Sequence, residues 1–189
     1  MSLSFEAKEA IHGIRGILRF DANGLRYFPY GFSPCLRSFQ VALWVAPLQA
    51  LVVWLDLPNQ LAEHPDANHY LILQALAYLV SWLAYPLLLL PLSRHFHCRE
   101  RLGPYLSAFN WFQLVEFAVM TPILALGAIS WLPVEVDFVL WLFATAVLLA
   151  YEWFMLRKGL GVEGITASSL VLMSFLLNLL IYRAAEVLS

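Results

Sequence analysis

Charged side chains are scarce in this sequence: Asp, Glu, Lys and Arg make up 13% of its 189 residues, against 61% hydrophobic. A water-soluble domain of this length needs far more polar surface to cover its core. The deficit excludes an ordinary soluble enzyme and calls for a second solvent, the hydrocarbon of a bilayer; the mean hydropathy of +0.72 agrees. Cysteine is almost absent too. Cys35 and Cys98 fall on the side assigned below to the cytoplasm, so no disulfide is expected. The net charge of -2 is too small to mark a nucleic-acid partner, and none is expected. A secretory signal would place its apolar core within the first 15–30 residues or so; here the first long apolar run begins near Cys35 and reads as a permanent helix. Also missing are a zinc-protease H-E-x-x-H, a G-x-S-x-G elbow, a P-loop and a pair of aspartates inside the apolar runs. No enzymatic activity, cofactor or metal is therefore expected.

What the chain does have is five apolar stretches. A helix needs roughly 20 apolar residues to cross the hydrocarbon. The stretches run from about Pro34 to Leu57, Ala67 to Leu92, Pro104 to Ser130, Pro133 to Leu156 and Glu163 to Val187. Ser33 and Asp66 are the expected caps of the first and second. Ten of the eleven Lys and Arg residues fall in the N-terminal segment and in the loops after the second and fourth stretches; the eleventh is Arg183. Positive residues stay cytoplasmic, so the N-terminus is expected inside and the C-terminus outside, in a bacterial inner membrane. Trp54 and Trp131 then lie near the outer interface and Trp153 near the inner one.

Residues 3–20 differ. Ala7, Ala10, Ile11, Ile14, Ile17 and Leu18 recur at helical spacing, with Lys8, Glu9, His12, Arg15 and Arg19 on the other face. Too charged to span, the segment is expected as an amphipathic helix in the cytoplasmic interface, packed on the ends of the spans, or both. Asn23-Gly24 reads as a turn and Phe28–Phe32 as an aromatic loop at headgroup level. The expected fold class is all-α: a polytopic membrane protein with residues 1–32 as interfacial helix and loop, and 33–189 as a five-helix transmembrane domain. Arg15, Arg19, Arg26, Arg94, Arg99 and Arg101 are the candidate headgroup contacts.

Candidate chemistry is sparse. Gly159-Leu160-Gly161-Val162-Glu163-Gly164 fits G-x-G-x-x-G, but it joins two apolar helices where a dinucleotide site needs a strand before it; a tight connection is expected. His95-Phe96-His97-Cys98 offers three donors without a fourth ligand and reads as a solvated basic loop. His64 and His69, with Glu63 and Asp66, read as a polar outer loop. Inside the spans an ionisable group needs a reason. Glu116 lies about 12 residues into the third stretch, near the midplane at about 1.5 Å per residue. Asn110, Gln113 and Glu116 form a stripe at three-residue steps, and Gln49 and Asn178 sit at comparable depth. These five are the candidate intramembrane polar site. The stripe supplies either hydrogen bonds between helices or a proton or solute site. Glu116 is expected to face the interior and to hydrogen-bond Gln113's neighbourhood or a polar group on the first or fifth stretch. Glu152 is expected to reach Arg157 or Lys158, and to lie too far from Glu116 for the two to work together.

Cys35-Leu36-Arg37-Ser38-Phe39, Ala108-Phe109-Asn110-Trp111, and Tyr151-Glu152-Trp153-Phe154 leading to Leu160-Gly161-Val162, set in this layout, resemble five-span membrane proteins of alphaproteobacteria similar to the Yip (Ypt-interacting) family. Eukaryotic Yip proteins carry a cytoplasmic Asp-Leu-Tyr-Gly-Pro motif; here only Leu102-Gly103-Pro104 echoes it. The resemblance implies a cytoplasmic N-terminal segment, five spans and a C-terminus on the far side. The function expected first is a non-enzymatic inner-membrane protein that binds partner proteins or organises the bilayer. The alternative is a small permease or channel, a homo-oligomer, using the Glu/Asn/Gln stripe.

Overall fold

The computed structural model describes residues 3–63 and 66–188; His64 lies outside them. Seven α-helices follow one another among the described residues: α1 (Leu3–Ile17), α2 (Phe32–Ser38), α3 (Val41–Glu63), α4 (Ala67–His95), α5 (Arg99–Ala128), α6 (Val134–Met155) and α7 (Gly164–Leu188). A 3₁₀ segment at Ala22–Tyr27 follows α1, and a π-helical turn at Leu156–Leu160 extends α6. Five of the helical units are long and apolar enough to cross a membrane, the first being α2 and α3 together. In lipid, backbone groups must be satisfied within the segment, which leaves helix as the only solution for a single apolar run.

The helix ends follow local chemistry. Asp66 caps α4, its Oδ1 accepting from the backbone N–H of Asn68 and His69. α5 starts at Arg99, five residues before the expected Pro104. Pro104 frees only the carbonyl of Glu100, at the water-exposed end, so the helix tolerates it. α3 continues past Leu57 through Pro58 to Glu63, and its Asn59 Nδ2 donates to the Ala128 carbonyl at the end of α5, 2.9 Å away. Tyr78 hydroxyl donates to the Ala42 carbonyl, next to the carbonyl freed by Pro47. Gly161, at φ 73°, closes the π turn in the left-handed region, so the glycine pattern is the expected tight connection.

The spans form a ring in the order α3, α4, α7, α6, α5, with α5 packing back on α3. α5 also meets α4, where Tyr85 and Tyr105 bring their hydroxyls to 3.3 Å and the Tyr85 ring packs at a tilt of 49° against Phe109. These rings pinch the bundle at one end. That end also carries α1, the 3₁₀ segment, the α4–α5 connection and the π turn; it is called the basic end here. α1 packs on the 3₁₀ segment and on α5, burying Ala10 and Ile17 and leaving Ile11 and Leu18 exposed. Arg37 Nη2 meets Glu6 Oε1 at 2.8 Å and ties α2 to α1. Arg15, Arg19, Arg26, Arg94, Arg99 and Arg101 are all exposed at the basic end.

Candidate intramembrane site

Inside the ring lies a cavity of about 460 Å³. Each spanning helix contributes polar groups at helical spacing: Gln49 and Asp56 from α3, Tyr70 and Gln74 from α4, Gln113, Glu116 and Thr121 from α5, Thr145 and Glu152 from α6. α7 contributes a complete stripe, Ser174, Asn178, Tyr182 and Glu186, in steps of four. Partly exposed Asp56 and Glu186 stand at the end opposite the basic one, and Glu152 stands near the pinch, one turn before α6 ends. The polar lining thus extends through most of the bundle.

Four carboxylates line this cavity and no Lys, Arg or His does. Two of the four are held locally. Asp56 accepts from Asn59 Nδ2 and Gln60 Nε2 at 3.1 and 2.9 Å; Glu186 pairs with Arg183 at 2.9 Å. The inner two differ. Glu116 makes no hydrogen bond or ion pair among the described residues and opens onto the cavity, so the bonds expected to α3 or α7 do not form. Glu152 is 8% exposed. The Tyr85 and Ser174 hydroxyls face it, yet its Oε1 has no hydrogen-bond partner. Thr121 Oγ1 is buried and unpartnered as well. Buried polar atoms without partners are uncommon, and each needs an explanation such as an ion or solute that occupies the space beside it.

Three expectations are corrected by this arrangement. Glu152 turns into the ring and away from the basic side chains: Arg157 Nη1 donates to the Val162 carbonyl at 3.0 Å and lies over the Trp153 ring. Glu116 and Glu152 line one cavity, and the Glu116 charge reaches Glu152. Asn110 leaves the stripe: it is 1% exposed, and its Nδ2 donates to Ser38 Oγ at 2.8 Å, locking α5 to α2. Six residues at about 100° each put Asn110 and Glu116 about 120° apart on the helix, so the two face different neighbours. Gln49, Gln113, Glu116 and Asn178 do line the cavity.

Protein families, curated proteins and solved structures give no match to this chain.

The cavity must therefore be read from its chemistry. Of the residues that sequence reasoning passed over, Thr145, Tyr182 and Glu186 carried a usable signal in their spacing of four or seven from other polar residues, whereas Thr121, five residues from Glu116, carried none. Around the acids stand Phe109, Phe112, Phe117, Trp141 and Phe175. Aromatic faces and carboxylates attract the same class of ligand, a cation with apolar surface. Both cysteines are buried and lie outside the cavity lining, and burial pushes the Cys98 thiol up. Among the described residues no three His, Cys, Asp or Glu side chains are grouped to share a metal ion.

Proposed function

We propose that this protein is a small permease-like membrane protein that binds organic cations in its intramembrane cavity. The observation that carries the reading is the buried, unpartnered Glu152 Oε1 in a cavity lined by acids and aromatic rings and by no basic side chain. A monovalent organic cation would balance one negative charge on the inner acids and stack on the rings, at a small desolvation cost compared with an inorganic ion. Purified protein in nanodiscs is expected to bind tetraphenylphosphonium saturably, to be competed by tetraethylammonium, and to ignore a neutral analogue. Absence of saturable binding, together with a specific protein that co-purifies in mild detergent, would sink the reading and favour a Yip-like scaffold in its place. That second reading draws on α1 and the turn after it, where Ile11 and Leu18 are exposed at the basic end, as are Tyr30 and Phe32, an arrangement suited to the interface.

We further propose that the basic end is cytoplasmic and the membrane a bacterial inner membrane. Ten basic residues at one end against Arg183 at the other support this orientation. A reporter active only in the periplasm is expected to work when fused after residue 189 and to be silent at the N-terminus. The reverse pattern would invert the assignment, and with it the side from which the acidic cavity is entered.

A further inference from the structure

A second cavity, of about 400 Å³, lies at the basic end and shares no chemistry with the first. Its lining brings together Arg26 from the 3₁₀ segment, Arg101 from the first turns of α5 and Lys158 from the π turn, with no acidic side chain. Three segments distant in sequence therefore deliver like charges to one concave site. Such convergence raises the free energy of the empty protein, because like charges repel across a partly shielded pocket. The neighbouring bases are treated differently. Arg37 is paired with Glu6, and Arg157 is bound to a carbonyl and a ring. Arg26, Arg101 and Lys158 have no ion pair or hydrogen bond among the described residues.

Backbone details hold the three in place. The π turn widens the end of α6 and sets Lys158 at the pocket. A Cβ at Gly161 would overlap the Arg101 guanidinium, so the glycine leaves room for Arg101 to lie across the turn. A Cβ at Gly103 would sit 3.0 Å from the Gly31 carbonyl oxygen; its absence lets the loop carrying Tyr30 close against α5. Asn23 adds an amide at the rim, and Phe28 and Tyr105 an apolar floor.

We propose that this pocket is a binding site for a phosphate-bearing anion. Two guanidinium forks and an ammonium give the donor set such a group selects, and basic pockets between spans at this depth suit anionic headgroups. The phosphate could belong to an anionic phospholipid or be free in water, and the proposal is independent of the cation site.

Full-length protein would be studied in two arms. In the first, phosphatidylglycerol or chain-matched phosphatidylcholine is titrated into detergent-purified protein and bound lipid is counted by native mass spectrometry. In the second, inorganic phosphate and pyrophosphate compete with the bound lipid. The expected result is one phosphatidylglycerol held at least tenfold more tightly than phosphatidylcholine, with Arg101→Gln/Lys158→Gln losing that preference. Lys8→Gln, an exposed base at the same end but outside the pocket, is expected to keep it. Lys158→Gln alone, an exposed single change, is expected to lose part of the preference and guards against a folding defect in the double variant. Displacement by pyrophosphate would identify a soluble phosphate as the ligand; resistance to it would identify the headgroup. Equal retention of both lipids with no phosphate binding, or an unchanged preference in both variants, would overturn the proposal.

Discussion

Glu152→Met is expected to make the protein more stable and to weaken its binding of organic cations. A buried carboxyl whose Oε1 has no partner forfeits solvation without recovering it, a loss on the order of 1–3 kcal/mol for a polar group and more for a charged one. Methionine has similar length, adapts to irregular space and removes the orphaned atom. Thermal unfolding in detergent, followed by tryptophan fluorescence, should therefore move to higher temperature. Tetraphenylphosphonium affinity should fall at least tenfold, which is about 1.4 kcal/mol. Glu152→Gln separates the two effects. The amide keeps an acceptor and the side-chain shape, so stability should stay near that of the parent while affinity falls with the lost charge. The combination of higher stability and weakened binding is the signature of a residue kept for its ligand. A lower unfolding temperature in Glu152→Met, with binding intact, would show that the carboxyl is glue between α4, α6 and α7.

Gly24→Ala should release α1 from the body of the protein. Gly24 is buried where the 3₁₀ segment crosses α1, and a Cβ there would lie 2.6 Å from the Gly13 carbonyl oxygen and 2.8 Å from the Ile17 nitrogen. Both obstacles are helix backbone, so relief requires the elements to part. Overpacking of this kind costs about 1–3 kcal/mol, and parting also exposes Ile17 and Phe28. Trypsin should then cut at Arg15 and Arg19 much faster in Gly24→Ala than in the parent, while the helical circular dichroism of the spans persists. The displaced segment carries Arg26, so retention of anionic lipid should drop in the same variant. Parental resistance to trypsin would mean that the crossing can slide to admit a methyl group.

Much of the architecture is legible before any coordinates. Apolar length identifies the five spans because lipid forbids any other fold for them, Asp66 announces α4, and the period of Ala10, Ile14 and Ile17 announces α1. The inner face of each span is less legible. In water, burial separates apolar from polar residues around a helix; in lipid both the outer and inner faces are apolar, so the period carries little information. Only the rarer polar residues mark the inside. Read as single residues, Glu116 and Glu152 looked unrelated; read as steps of four and seven, Ser174, Asn178, Tyr182 and Glu186 or Gln49 and Asp56 point inward together. Which helices adjoin in the ring, and that Arg26, Arg101 and Lys158 converge, depends on long-range packing that no local spacing encodes.

The two cavities are separated by very little. Tyr105 lines the basic pocket, its hydroxyl meets that of Tyr85, and Tyr85 faces Glu152 in the acidic cavity. If water fills both cavities, each conducts, and the transmembrane voltage falls mainly across the insulating layer between them. A layer two tyrosines thick then bears most of a potential that would otherwise spread over roughly 30 Å of hydrocarbon. One elementary charge that crosses it exchanges about 2.3 kcal/mol with the field at 100 mV, and Glu152 stands at its edge.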